Sequence, residues 1–218
     1  HRSIGRNSPG RRVAHPPDSD RHCDGACRSR NVEPAQPTPW DPVAALSADR
    51  LAPQLRAGLA ELAQRLYRRE VPFLLGGSAM LACRGIEVVV SDLDICTSGH
   101  QLNAVLAALE SDHPVIRWEP RPPWQSAWLV RARLSIGAGS VAVDVIGNLA
   151  IEIGGVVARF PIDVDTAEVV DVDGWPVPID SMWRWYHLYR LHDPGKAAQI
   201  YSAAGPGDLD GAAAELGL

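Results

Sequence analysis

The sequence predicts an α/β (α+β) fold in which a mixed sheet is flanked by helices and followed by a C-terminal helical segment. Short apolar or β-branched runs alternate with amphipathic helical patterns in the first half of the predicted core. Hairpin patterns follow, and two helical patterns lie near the C-terminus. Strands joined through helices can run parallel and hairpin strands run antiparallel, so the two patterns together predict a sheet of mixed direction.

Each predicted element depends on a local pattern. Leucines at helical spacing predict the first helix, and Ser47 is its expected N-cap. The turn sequence IGAG lies between two alternating apolar segments and predicts a hairpin. The predicted elements are helices over 47–70, 78–85, 100–112, 181–192 and 195–204, strands over 71–77 and 87–97, and a hairpin over 127–148.

Three regions are expected along the 218 residues. The first forty residues carry seven arginines, four acidic residues and six prolines, with few aliphatic side chains. Such a composition buries too little apolar surface to offset the entropy of ordering, so residues 1–41 are expected to be a disordered basic tail. Residues 42–178 form the predicted core, and residues 179–218 form the C-terminal helical segment.

The composition indicates a cytoplasmic protein. Hydrophobic residues make up 46% of the chain, which suits a globular protein with a buried core. No run of about twenty apolar residues occurs, so no membrane span is expected. Cys83 and Cys96 lie in apolar segments and are expected to be buried free thiols, consistent with a reducing compartment.

Three carboxylates lie on predicted strands among apolar residues. Asp92 and Asp94 are separated by one residue, so they share a face of their strand. Asp144 alternates with valines in the second strand of the hairpin. Two carboxylates ~4 Å apart repel by roughly 4 kcal/mol at an effective dielectric constant of ~20, so a cluster of three requires a raised pKa or a cation. Oxygen ligands of this kind favour Mg²⁺, and two ions could clamp the attacking and leaving oxygens of a displacement.

A glycine-rich turn precedes the acidic pair. Gly76 and Gly77 follow a short apolar strand, and Ser78 begins the next predicted helix. Glycines let the backbone approach a ligand closely, and a helix N-terminus favours an anion. We therefore expect a nucleoside triphosphate to lie with its phosphates on the turn and its metal ions on the acids.

The stretch GGSAMLACRGIEVVVSDLDI (76–95) resembles the signature of the polymerase-beta-like nucleotidyltransferase superfamily. The stretch VAVDVIG (141–147) is similar to the later strand that supplies its third acid, and residues 178–200 are similar to the helical end of its small bacterial members. The resemblance covers roughly residues 71–203 and implies the nucleotidyltransferase fold. It also implies transfer of a nucleoside monophosphate with Mg²⁺ in a two-metal site.

The resemblance assigns roles to individual residues. Asp144 would be the third metal ligand and a possible base. Lys196 would be catalytic, although it follows Asp193 where the family places the lysine before the aspartate. The implied nucleotide-binding residues are Gly76, Gly77 and Ser78, and the implied metal ligands and catalytic acids are Asp92, Asp94 and Asp144.

Two bacterial groups of that superfamily fit the chain. The first is the abortive-infection (AbiEii/MenT-like) nucleotidyltransferase toxins, which include mycobacterial enzymes that extend tRNA acceptor ends and which have a cognate antitoxin. The second is the enzymes that adenylylate lincosamide or aminoglycoside antibiotics. The 21 basic residues are arginines except for Lys196, which favours the toxin, whereas Val88 occupies the usual position of a toxin arginine. A non-catalytic partner protein of the same fold is the third alternative, and the presence of all three acids argues against it.

A tRNA acceptor would require a basic surface on a chain whose net charge is −5. Arg131 and Arg133 on the predicted hairpin are the candidate acceptor-binding residues. Trp124 and Trp128 could stack on a terminal base or could simply pack against the protein.

Overall fold

The structure is a computed structural model that describes residues 45–117 and 122–204. The tail predicted for 1–41 lies outside the described residues, as do residues 205–218 of the predicted C-terminal segment. Among the described helices, none is both long enough and apolar enough to cross a bilayer.

The predicted alternation of helices and strands is present, although most elements are shorter than their sequence patterns. The described helices are α1 (Pro53–Arg68), α2 (Gly77–Cys83), α3 (Leu102–Ala108), α4 (Met182–His192) and α5 (Pro194–Ala204). The described strands are β1 (Phe73–Leu75), β2 (Asp92–Thr97), β3 (Val115–Arg117), β4 (Trp128–Ile136), β5 (Gly139–Gly147), β6 (Ala150–Ile153), β7 (Val156–Arg159), β8 (Glu168–Val172) and β9 (Trp175–Ile179).

Seven of these strands form one sheet in the order β3-β4-β5-β2-β1-β9-β8. Strand β2 runs parallel to β5, and β1 runs parallel to β9, whereas the other neighbours in the sheet are antiparallel. Strands β6 and β7 form a separate two-stranded ribbon. The expected mixed sheet flanked by helices is therefore confirmed.

The first helix begins later than the sequence pattern suggested. Ser47 caps a 3₁₀ turn, Ala48–Arg50, by accepting a hydrogen bond from the Asp49 backbone N–H at 3.2 Å. Helix α1 starts at Pro53, because proline fits the first turn of a helix and disfavours helical backbone in the preceding residue.

Strand β2 also begins later than expected, at Asp92 instead of residue 87. The preceding segment is irregular, and Val89 in it is 85% exposed. The register with β5 starts at the pair Asp92–Ala142, so the earlier residues have no strand partner. The acidic pair therefore occupies the first residues of the strand, where side chains reach the end of the sheet.

The core lies on the opposite face of the sheet from the acids. Helix α1 packs against β4 and β5, and Gly58 approaches Val141 so closely that an added Cβ would lie 2.9 Å from a valine methyl group. Leu93 and Val143 are buried on this face. Cys83 and Cys96 are buried free thiols, as predicted.

Candidate functional site

The parallel pairing of β2 and β5 brings the three acids together. In this register Asp94 lies directly beside Asp144, and Asp92 lies beside Ala142. One carboxylate oxygen from each of Asp92, Asp94 and Asp144 lies within 4.8 Å of the others. The convergence expected from strand alternation is therefore present.

The cluster concentrates negative charge in a partly enclosed position. The pKa of Asp94 is raised to about 7, chiefly by burial and then by the neighbouring carboxylates of Asp92 and Asp144, against the opposing effect of Lys196 and Arg131. The Ser91 hydroxyl donates a hydrogen bond to Asp92 Oδ1 at 2.9 Å. Three converging oxygen donors with an unfavourable mutual repulsion match what a hard divalent cation requires.

The glycine turn lies against the acids. The Gly76 N–H donates a hydrogen bond to the Asp94 carbonyl oxygen at 2.8 Å, which ties the end of β1 to the start of β2. Gly77 has a φ of +61°, and a Cβ there would lie 1.9 Å from Asp94 Oδ2. A Cβ at Gly76 would lie 2.1 Å from the ring of Trp185. Both glycines are therefore required by the close approach of protein side chains, a reason that adds to the expected contact with a ligand.

Lys196 reaches this turn from the C-terminal helices. Its Nζ donates a hydrogen bond of 2.8 Å to Ser78 Oγ, across 118 residues of sequence. The ammonium group also lies 5.1 Å from the centre of the Tyr189 ring and 3.8 Å from Asp193 Oδ2. Ser78 is only 3% exposed, so its hydroxyl is covered by these neighbours. The lysine that matched the family motif only approximately is thus located at the turn.

Asp193 lies at the start of α5 and is not one of the three clustered acids. Its Oδ1 accepts a hydrogen bond from the Lys196 backbone N–H at 3.1 Å, which caps the start of α5. The carboxylate therefore orients the first turn of α5 and with it the Lys196 side chain.

A buried aspartate and a tryptophan support the glycine turn, and the sequence did not predict this arrangement. Asp180, with 2% of its side chain exposed, accepts hydrogen bonds from Trp185 Nε1 at 2.9 Å and from the Ser181 N–H at 2.7 Å. Its own N–H donates to the Leu75 carbonyl oxygen at 2.8 Å. Trp185 is thereby fixed over Gly76, and no local pattern in the sequence indicates this pairing.

The two candidate acceptor-binding arginines lie beside the acids. Arg131 pairs across the hairpin with Asp144, and its Nη2 and Nε donate to Asp144 Oδ2 at 2.8 and 3.1 Å. Arg133 follows on the same face of β4. Both line an open cleft of about 470 Å³. The other lining residues are Asp92, Asp112, His113, Val115, Ala132, Ala142 and Asp144.

The two tryptophans considered for base stacking are packing residues. Trp128 is 3% exposed, and its Nε1 donates to the Gly99 carbonyl oxygen at 2.7 Å. Trp124 packs against His192 with the ring centres 5.1 Å apart. The packing alternative is therefore the one observed.

No family model and no curated protein matches the chain. Among solved structures, the chain is similar to a candidate nucleotidyltransferase from Thermotoga maritima, at 21% identity and a TM-score of 0.51, with 66% of this chain and 89% of that chain covered. ANT(2″)-Ia with bound adenylyl-2″-tobramycin gives 14% identity and a TM-score of 0.48, covering 74% and 95% of the two chains. The lincosamide adenylyltransferase LnuA with bound lincomycin gives 14% identity and a TM-score of 0.42, with 66% of this chain and 95% of that chain covered. The first of these similarities establishes that the chain has the nucleotidyltransferase fold.

Proposed function

We propose that the protein is a metal-dependent nucleotidyltransferase that transfers a nucleoside monophosphate from a nucleoside triphosphate to an acceptor hydroxyl. The observation that carries the proposal is the arrangement of three convergent carboxylates, a glycine turn and one lysine at the same end of a nucleotidyltransferase-fold sheet. A sheet does not hold three such carboxylates for stability, because their mutual repulsion is unfavourable.

Asp92, Asp94 and Asp144 would hold Mg²⁺ in this proposal, with a two-metal arrangement as the expected form. When bound, the metal would supply charge stabilisation at the attacking and leaving oxygens. The carboxylates themselves fix the position of the reacting centre, because all three extend from paired strands whose backbone cannot shift independently.

The triphosphate would lie over the turn formed by Gly76 and Gly77. Helix α2 has only seven residues, so its dipole contributes little, and the positive charge nearest the turn is Lys196. Lys196 has 30% of its side chain exposed and can meet a phosphate oxygen directly. The buried Ser78 hydroxyl then serves mainly to hold the lysine in place, a smaller role than the phosphate contact that the sequence predicted for it.

The chemical step in this proposal is an in-line displacement. The acceptor hydroxyl oxygen forms a bond to the α-phosphorus, the bond from that phosphorus to the bridging oxygen breaks, and pyrophosphate leaves. Asp144 is the proposed base that accepts the hydroxyl proton, since it borders the cleft from which an acceptor would approach. Lys196 would stabilise the charge that develops on the pyrophosphate.

We further propose that the acceptor is the 3′ end of tRNA and that the protein is a toxin inhibited by a cognate antitoxin. The placement of Arg131 and Arg133 in the cleft beside the acids supports a phosphate-bearing acceptor. Metal ions on the cluster would neutralise Asp92 and Asp144 in the wall of the cleft, and Asp112 is paired with Arg65, so that the arginines dominate the charge of the cleft.

Incubation of the full chain with each labelled nucleoside triphosphate, Mg²⁺ and total tRNA tests this function. Label on the 3′ end of tRNA, absent with Asp94→Asn, would support the proposal. Label on a lincosamide or aminoglycoside and on no RNA would replace tRNA with a drug acceptor and keep the transferase. No transfer to any acceptor, by a folded protein that binds neither nucleotide nor Mn²⁺, would contradict the transferase itself.

A further inference from the structure

The pairing of Arg131 with Asp144 places a cation where a metal ligand is expected. Two guanidinium nitrogens donate to the same carboxylate oxygen, Asp144 Oδ2, at 2.8 and 3.1 Å. Asp144 has only 15% of its side chain exposed, whereas Arg131 has 53% exposed. The carboxylate is therefore fixed in the sheet, and the arginine is the partner that can move.

We infer that Arg131 alternates between two partners, Asp144 before a metal ion binds and an anionic group of the acceptor afterwards. The inference rests on the proposed function, because it assumes that Asp144 is a metal ligand and that the acceptor carries phosphate. A divalent cation on either oxygen of the Asp144 carboxylate would lie close to the guanidinium group and repel it, so metal binding and the ion pair compete.

The cleft provides a place for the released side chain. Arg131 and Arg133 are on one face of β4, and both line the cleft that begins at Asp92 and Asp144. A guanidinium group that leaves Asp144 remains in the cleft that Arg133 also lines. Each guanidinium group can donate two parallel hydrogen bonds to one phosphate, which a lysine ammonium group cannot do. Metal binding would thereby increase the affinity for an anionic acceptor, and by linkage the acceptor would favour metal binding.

The metal half of the inference is tested by calorimetric titration of the metal-free protein with Mn²⁺. Arg131→Ala should bind Mn²⁺ roughly three- to tenfold more tightly than the unmodified protein, since a competing cation at a half-exposed position has been removed. The melting temperature of Arg131→Ala in EDTA should fall, because the three carboxylates lose a counter-ion. Arg133→Ala, on the same strand face and with no ion pair to the acids among the described residues, is the control and should change Mn²⁺ affinity less.

The acceptor half is tested without metal, which avoids chelation by the nucleic acid. Asp144→Ala and Asp94→Ala remove one carboxyl group each from the same cluster, but only Asp144→Ala releases Arg131. In EDTA, Asp144→Ala should bind a short fluorescein-labelled single-stranded RNA several-fold more tightly than Asp94→Ala in an anisotropy titration. The difference should disappear when Arg131→Ala is added to both.

The outcomes distinguish this inference from the proposed function. Equal Mn²⁺ affinity of Arg131→Ala and the unmodified protein would overturn the competition between arginine and metal. Equal RNA affinity of Asp144→Ala and Asp94→Ala would overturn the alternation toward an anionic acceptor. If the unmodified protein bound no Mn²⁺ at all, the proposed metal-dependent function would fail, and this inference would fall with it.

Discussion

Lys196 donates a hydrogen bond to Ser78 at 2.8 Å, and this contact joins the C-terminal helices to the turn that follows the first strand. Ser78 is buried, whereas the lysine retains 30% of its side-chain exposure. The single ammonium group at this turn is therefore both anchored and accessible, which suits a group that neutralises phosphate.

Because Lys196 is the only lysine in the chain, its exposure can be measured by amine-selective acylation and mass spectrometry. A nucleoside triphosphate with Mg²⁺ should protect Lys196 from acylation, whereas the corresponding nucleoside should not. Lys196→Met should raise the KM for the triphosphate, and Lys196→Arg should restore part of the affinity. Unchanged acylation at a saturating triphosphate concentration would remove Lys196 from the phosphate site.

Asp94→Asn should abolish nucleotide transfer and leave the fold intact. Loss of a residue that only orients a metal ligand typically lowers metal affinity or activity about 10–100-fold. Removal of a ligand charge should therefore lower the rate of transfer at least about 100-fold. In EDTA the free energy of unfolding should stay level or rise, since the substitution relieves repulsion from Asp92 and Asp144. Glu110→Gln, which changes an exposed acid that is not a member of the cluster, is the control for loss of one charge. Near-normal transfer by Asp94→Asn would contradict the proposed metal site.

The stability of the metal-free protein should depend on pH through Asp94. Its pKa is raised to about 7 in the folded protein, above a value of ~3.9 in the unfolded chain. The folded state therefore holds this proton more tightly, so stability is fully present below about pH 4 and is lost as the pH rises toward about 7. Urea unfolding in EDTA should show this decrease for the unmodified protein and much less of it for Asp94→Asn. A parallel pH dependence in both proteins would assign the titration to another group.

Gly77→Ala should destabilise the protein more than Gly137→Ala. Both glycines have φ near +60°, at +61° and +58°, so both substitutions place an alanine in left-handed backbone at a cost of about 1–2 kcal/mol. A Cβ at Gly137 meets nothing within 4 Å, whereas one at Gly77 would lie 1.9 Å from Asp94 Oδ2. Gly77→Ala should therefore cost about 3 kcal/mol or more in chemical denaturation. An equal loss of unfolding free energy in Gly77→Ala and Gly137→Ala would mean that the turn can move away from Asp94.

The sequence was sufficient to place the three acids and the glycine turn. Strand alternation put Asp92 and Asp94 on one face, and the same rule separated Asp144 from its valine neighbours. The pairing of Arg131 with Asp144 could also have been counted from the hairpin, because the turn pairs Ile136 with Gly139 and five further steps along each strand reach those two residues. The sequence alone does not fix which residues of IGAG form the turn, so this count requires the observed pairing.

Other parts of the site depend on tertiary packing and carry no local signal. The contact of Lys196 with Ser78 spans 118 residues and requires α5 to fold back over the turn. Trp185 covers Gly76 and donates its indole N–H to buried Asp180. Residues 87–91 have the composition of a strand and remain irregular, and the pairing with β5 begins only at Asp92 although β5 itself starts at Gly139. Strand propensity alone therefore overestimates the length of β2.

The salt dependence of transfer should separate an RNA acceptor from a small drug. A polynucleotide releases counterions when arginines contact its phosphates, so activity at subsaturating tRNA should fall steeply between about 50 and 200 mM salt. Arg133→Ala and Arg131→Ala should raise the KM for tRNA and reduce the salt slope by about 1 each, with little change in nucleotide affinity. Arg68→Ala, an exposed arginine on α1, should leave the slope unchanged.

Growth should stop when the protein is expressed without an antitoxin and should resume with Asp94→Asn. Harmless expression of an active enzyme, with a shallow salt response and label on a drug instead of RNA, would contradict the toxin and tRNA assignment and leave the transferase chemistry in place.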